Sequence, residues 1–216
     1  PFTNYPDLLA KYLVTRYNIK GGLRFLEVGC GRGEFLSGFI KQGLTAYGVD
    51  QSDSAKSFCP KAEIKVANLE DGIPFDDNFF DIVYSKSVVE HFYYPEKIIT
   101  EIFRVLKPNG QIITLTPDWN QVYRTFYEDY THRTPFTLTS LRDILLIHGF
   151  KKIQVEHFLQ LPIVWELPWV KLLSMIVSFI APQFLVKKFK FVRFSKEVML
   201  LSSAVKPAPD DIGEIL

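Results

Sequence analysis

The chain has 216 residues, with Lys+Arg 25 against Asp+Glu 24 and a formal net charge of +1. That balance excludes a global field for binding polyanions, and a composition 47% hydrophobic and 23% charged excludes disorder. A chain this long buries roughly 70% of its unfolded surface and builds a core without staples. Its only cysteines, Cys30 and Cys59, point to a reducing compartment and hence to the cytoplasm. It opens on Pro1, which reads as a trimmed N-terminus, and no signal peptide is visible.

Residues 7–18 carry Leu8, Leu9, Tyr12, Leu13 and Tyr17 near the 3.6-residue period and predict a helix, ended by Gly21-Gly22. Residues 23–28 are an apolar run entering a glycine cluster, hence a buried strand. Residues 34–42 have helical spacing up to Gly43, and 45–49, 64–67 and 80–84 read as strands two to four. Pro95 suits the first position of a helix running to Leu106, which Pro108-Asn109-Gly110 terminates. Residues 111–116 form a fifth strand, 138–148 a helix ended by Gly149, and 152–157 a sixth strand. Residues 159–194 break this rhythm with apolar and basic sequence before strand-like sequence returns at 195–205. Residues 206–216 read as a loose tail. Strands alternating with helices imply an α/β fold, an open and mostly parallel sheet with helices on both faces.

The informative segment is Leu26-Glu27-Val28-Gly29-Cys30-Gly31-Arg32-Gly33-Glu34-Phe35. A strand enters a glycine turn that opens a helix, so bare backbone approaches a ligand at the carboxyl edge of the sheet. The dinucleotide fingerprint needs its third glycine where Glu34 stands. Here Gly33 comes one place early, and an acid at the helix mouth repels a pyrophosphate. The spacing favours a ligand without phosphates.

This segment resembles the first motif of the class I S-adenosylmethionine-dependent methyltransferases, in their type 11-like small-molecule and glycan branch. Three further stretches resemble later motifs: 68–75 the loop bordering adenine, 80–83 with Glu90-His91 the fourth strand and its sequel, and 104–111 the turn before the fifth strand. The resemblance implies a Rossmann-like, seven-stranded sheet in a single domain over 1–216. Its core covers 7–158 and 195–205, with 159–194 inserted between strands six and seven. It also implies S-adenosylmethionine as cofactor and S-adenosylhomocysteine as product. Gly29, Gly31 and Gly33 form the turn, Glu27 sits near the methionine amino group, and Asp50 accepts the ribose hydroxyls. Gln51 flanks adenine, Asn68 and Leu69 bond its edge, and Ser85 lies beneath the methionine part. Asn68 departs mildly from the Asp often found there.

Methyl transfer depends mostly on positioning the acceptor, and a hydroxyl acceptor also profits from a base near neutral pH. Among four histidines, His148 fits a helix end and His157 the periphery. His132, in the polar-aromatic stretch 127–136, hangs over the carboxyl edge and is the candidate base, with a loop-fixing hydrogen bond as the alternative reading. His91 is a second candidate lining the site, with capping or packing as its plainer reading. Ubiquinone-type O-methyltransferases carry an additional Glu where Ser87 stands, and a lone Glu90-His91 pair is a poor divalent site. No metal is therefore expected.

Within 159–194, the run 172–181 is too short to span a bilayer. Trp165 and Trp169 with Lys171, Lys187, Lys188, Lys190 and Arg193 suit an interfacial segment, and a lid or dimer contact covering the acceptor pocket is the somewhat favoured alternative. The resulting expectation is O-methylation of a small-molecule or glycan acceptor, with no nucleic-acid partner. Alternatives are a catalytically silent cofactor-binding subunit, a membrane-associated methyltransferase of a lipid- or quinone-type acceptor, and a nicotinamide oxidoreductase, which the early third glycine disfavours.

Overall fold

The computed structural model describes residues 3–180 and 189–212. Helix α1 (Tyr5–Arg16) leads into β1 (Arg24–Val28), α2 (Glu34–Lys41), β2 (Thr45–Asp50), α3 (Ser54–Phe58) and β3 (Glu63–Val66). Then come β4 (Phe80–Lys86), α4 (Pro95–Val105), β5 (Leu106–Pro117), the short α5 (Trp119–Val122), α6 (Leu138–Ile147) and β6 (Lys151–Leu159). Helices α7 (Pro162–Glu166), α8 (Pro168–Ile180) and α9 (Lys190–Lys196) precede β7 (Val198–Val205).

The seven strands form one sheet in the order β3-β2-β1-β4-β5-β7-β6. β1 to β5 pair in parallel, and β7 is antiparallel to both β5 and β6. The order reverses between β1 and β4, so the crevice at their carboxyl ends is where an open sheet binds its ligand.

Alternation along the strands feeds a core on each face. Phe25, Ile82, Tyr84, Ile113 and Leu201 pack under α1 and α2, while Leu26, Val83, Ile112 and Leu200 pack under α4 and α6. On the first face the Phe25 and Phe39 rings meet at 4.1 Å, and Phe39→Ala would cost about 3–5 kcal/mol. Gly38 lets α2 approach α1, because a Cβ there would lie 2.8 Å from the Pro6 carbonyl oxygen. Trp165 stacks on Phe158 at 5.3 Å and meets Tyr12 at 4.9 Å, which fastens α7 to β6 and α1.

Four expectations need correction. β4 runs on to Lys86 rather than ending at Tyr84, because its register with β5 continues through Lys86 and Leu115. Pro108-Asn109-Gly110 is a bulge inside β5, not the end of a helix. Phe80 pairs with Leu106 and Ile82 with Gln111, and Asn109 takes φ 64° to absorb the slack. Ser195 and Lys196 close α9 instead of starting the last strand. Lys206 is anchored rather than loose, its ammonium donating to the carbonyls of Phe103 at 2.7 Å and Leu106 at 2.8 Å.

Among the described residues no helix is long and apolar enough to cross a membrane. Lys187 and Lys188, expected in the interfacial segment, lie outside the described residues. On α8, Trp169, Leu172, Leu173, Ile176 and Ile180 are exposed. Their spacing places them on one helical face.

Candidate active site

The turn after β1 is built from backbone that only glycine adopts readily. Gly29, Gly31 and Gly33 have φ of 72°, 50° and 76°. The Gly29 amide donates to the Val49 carbonyl at 2.8 Å, so the turn leans on the end of β2. A Cβ on Gly29 would stand 2.3 Å from Val88 Cγ2, whereas one on Gly31 would meet nothing within 4 Å.

Asp50 ends β2 and holds this turn. Its Oδ2 accepts the Gly31 amide at 2.8 Å and its Oδ1 the Ser52 amide at 2.9 Å. Each oxygen keeps a lone pair, so the carboxylate still has acceptors for two adjacent hydroxyls. Gly29, Asp50, Gln51 and Leu69 line a cleft of about 500 Å³, closed on the far side by Ser87, Val88 and His91.

The other expected cofactor residues fall around this cleft rather than in its wall. Gly31 and Gly33 shape the turn. Asn68 caps the 3-10 turn Leu69–Asp71, its side-chain carbonyl accepting the Glu70 amide at 3.1 Å. One of its two lone pairs is thereby spent locally. Ser85 is fully buried between Val28 and Thr114 and does not reach the cleft, because β4 extends past it. Ser87, the first residue off that strand, takes the wall position at φ 55°.

Glu27 lies beneath the turn, 2% exposed, and its Oε2 has no hydrogen-bond partner among the described residues. Burial raises this carboxyl well above the usual range, against the pull of the Leu36 amide and the Lys86 ammonium. Lys86 was not anticipated, since nothing in a lone lysine at a strand end marks it. Burial lowers its ammonium, and Glu90, Glu27 and Glu197 draw it back up.

A second cavity, of about 280 Å³, adjoins the first and shares Ser87 and His91 with it. His132, Phe126 and Glu90 line it, as do Gln160 and Glu197 at the two ends of the inserted helices. His132 donates Nδ1–H to the Phe126 carbonyl at 2.7 Å, and its ring rests on Phe126 with centroids 4.5 Å apart. The neutral ring therefore carries its lone pair on Nε2. His91 sits 4.9 Å from His132, centroid to centroid. Thr131 gives its hydroxyl proton to Asp129 Oδ1 at 2.6 Å, so His91 Nδ1 is the donor in its 2.9 Å bond to Thr131. His91 is held below its ordinary range by burial and the neighbouring His132.

Glu90 is wholly buried. Its Oε2 accepts the Thr116 hydroxyl at 3.0 Å and its Oε1 has no hydrogen-bond partner among the described residues. Burial pushes its carboxyl up to about 7. The main-chain amides of Arg133 and Thr134 donate to the Glu90 carbonyl at 2.8 and 3.0 Å, which brings the His132 loop onto the segment after β4. One ligating atom from each of Glu90, His91 and His132 lies within 4.8 Å of the other two. The sequence reading considered Glu90 and His91 alone, and the fold sets His132 from the loop after β5 beside them.

The peripheral histidines are accounted for. His148 donates to the Ile144 carbonyl at 2.7 Å at the end of α6. His157 lies 3.0 Å from the buried Asp118 carboxylate at the end of β5.

Residues 26–114 match the family model for a methyltransferase domain. The chain is similar to the sterol 24-C-methyltransferase of Schizosaccharomyces pombe, with 36% identity over 110 residues, covering 46% of this chain and 29% of that enzyme. It is similar to the mitochondrial ubiquinone biosynthesis O-methyltransferase of Mus musculus, with 30% identity over 112 residues, covering 47% of this chain and 30% of that one. The match thus spans under a third of either enzyme. An S-adenosylmethionine-dependent methyltransferase from Archaeoglobus fulgidus has the same fold, with a TM-score of 0.64 at 24% identity over 93% of this chain and 94% of that one. The matched domain makes residues 26–114 a methyltransferase domain, and the glycine turn, the carboxylate ending β2 and the strand order are those of the class I S-adenosylmethionine-dependent methyltransferase fold.

Proposed function

We propose that this protein methylates a hydroxyl of a small-molecule or glycan acceptor, using S-adenosylmethionine and leaving S-adenosylhomocysteine. The cofactor, when bound, supplies an activated methyl group on a cationic sulfur. The observation that carries the reading is the meeting of two cavities at Ser87 and His91, one walled by Asp50 and the glycine turn, the other by His132. A cofactor in the first and an acceptor in the second would face each other there, and such placement supplies most of the rate.

The residues suit their parts. Asp50 offers acceptors to the ribose hydroxyls, and Gln51 and Leu69 flank the base, with Asn68 at its edge. Glu27, whose Oε2 has no hydrogen-bond partner among the described residues, suits the methionine ammonium. His132 Nε2 takes the proton that the acceptor hydroxyl loses, and His91 completes the wall beside it. Tyr123, Tyr127 and Tyr130 are exposed on the segment leading to His132, and Arg133 stacks over Tyr93 and Tyr130 at 5.1 Å. Flat faces with hydroxyl tips suit a ring-shaped, hydroxylated acceptor. The free Cys30 and Cys59 support a cytoplasmic setting.

A second reading, a lipid- or quinone-type acceptor met at a membrane surface, draws support from the exposed apolar face of α8. Gln160 and Glu197 connect that insertion to the acceptor cavity. The same face also suits a lid or a dimer contact. Co-sedimentation with anionic liposomes, comparing wild type with a Lys187→Glu/Lys188→Glu/Lys190→Glu variant, separates these. Radiolabelled methyl transfer to a panel of sugars, phenols and quinols, followed by product analysis, tests the main reading. O-methyl product supports it. Binding of S-adenosylhomocysteine without transfer to any acceptor would leave a silent binding subunit, and preference for NAD would overturn the cofactor.

A further inference from the structure

We infer that Glu90, His91 and His132 form a binding site for one divalent transition-metal ion in the wall of the acceptor cavity. Three features point there. The ligating atoms lie within 4.8 Å of one another although His132 comes from a different loop. Glu90 is buried with Oε1 lacking a hydrogen-bond partner, while Oε2 is oriented by Thr116, so one oxygen is presented and unspent. Both imidazoles are already fixed through their other nitrogen. His132 Nδ1 bonds to the Phe126 carbonyl at 2.7 Å, and His91 Nδ1 to Thr131, which is itself held by Asp129. Ligating histidines are oriented in this way, through a carbonyl or a carboxylate chain behind the ring. Each ring is left with Nε2 as its donor.

Two imidazoles and one carboxylate suit Zn²⁺, Mn²⁺, Fe²⁺ or Co²⁺ better than the all-oxygen preferences of Ca²⁺ and Mg²⁺. Metal–ligand bonds of about 2.0–2.1 Å put neighbouring donors roughly 3.3 Å apart in a tetrahedral site. The side chains must therefore close by at most about 1.5 Å from the observed limit of 4.8 Å. Protein supplies three ligands, leaving room for an oxygen from the solvent or the substrate. Resting on the methyltransferase reading, that oxygen would be the acceptor hydroxyl, which, polarised by the ion, loses its proton to solvent and forms its bond to the methyl carbon as the carbon–sulfur bond breaks. His132 Nε2 is then a ligand and not the base, since its lone pair cannot hold a proton and a metal together.

Zinc titration by calorimetry, and cobalt titration read by its visible absorption, test the site on the whole protein without cofactor. Wild type should bind one ion per chain, with the intense bands of a low-symmetry Co²⁺ centre. His132→Gln and Glu90→Gln should each weaken binding at least about tenfold, and Thr131→Val by less. His148→Gln should leave it unchanged, and His91→Gln serves if Glu90→Gln does not fold. Absence of one-to-one binding, or binding that survives both His132→Gln and His91→Gln, overturns the site. S-adenosylhomocysteine calorimetry on the same samples keeps the outcomes apart, because a chain that binds the nucleoside but no ion loses only this inference.

Discussion

The Phe126 carbonyl takes the Nδ1 proton of His132 at 2.7 Å, and that bond decides which nitrogen of the ring faces the acceptor cavity. With His132 as the base of the metal-free protein, His132→Gln should lower kcat by about 10²–10⁴-fold, the usual worth of such a group. Affinity for S-adenosylhomocysteine should be little changed, since His132 stands in the second cavity and not in the cofactor cleft. An equal loss of nucleoside binding would show that His132 holds the fold rather than the proton.

Asp50 holds the turn and, on the proposed reading, the ribose hydroxyls as well. Asp50→Ala removes the acceptor for the Gly31 and Ser52 amides and would remove the proposed ribose contacts. Charged hydrogen bonds contribute about 1.5–3 kcal/mol each, so nucleoside affinity should fall by at least about a hundredfold in calorimetry. Unchanged affinity would remove Asp50 from the site.

The buried Glu27 makes cofactor binding depend on pH. Burial raises its carboxyl in the free protein, and a bound ammonium favours the carboxylate. Binding should then release a proton, and affinity should rise with pH until Glu27 is ionised in the free protein, with no further gain above that. Calorimetry in buffers of different ionisation enthalpy measures that proton. Glu27→Gln should abolish the release.

Gly29→Ala places a Cβ 2.3 Å from Val88 Cγ2 on a backbone with φ 72°. It should lower Tm and weaken nucleoside binding. Adding Val88→Ala relieves the contact but not the backbone strain, so rescue measured by thermal unfolding should be partial.

The Glu101–Arg104 pair supports the rim of the cofactor cleft from behind. Glu101 accepts from the Ile73 amide at 2.9 Å and from Arg104 Nη2 at 2.7 Å, and Arg104 also reaches the carbonyls of Ile73 and Phe75. The Arg104 guanidinium holds the Glu101 carboxyl below its ordinary value of 4.5. Because the folded value lies below the unfolded one, this stability is present above about 4.5 and is lost as pH falls through the folded value. Arg104→Ala should cost about 1–2 kcal/mol at pH 7 and less in acid, by chemical denaturation.

The glycine turn and its contact with the carboxylate ending β2 were legible in the sequence, because backbone conformation and charge at fixed spacing set them. The sequence also placed β1, β2 and α6 within a residue or two, since their apolar periods are bounded by glycines or caps. Three things escaped it. The bulge in β5 mimics a turn locally, and only its pairing with β4 and with Lys206 keeps it in the sheet. Ser87 replaces Ser85 because the end of a strand is set by its partner's length. The closeness of His132 to Glu90 and His91 arises from main-chain bonds between two loops, a tertiary relation that no local spacing encodes.

Gln160 and Glu197 stand at the two shoulders of the inserted helices and both face the acceptor cavity. If that cavity takes the acceptor, exchanging the helices between those shoulders would alter one wall of it and so shift what is modified, while the glycine turn and Asp50 at the ends of β1 and β2 would stay untouched.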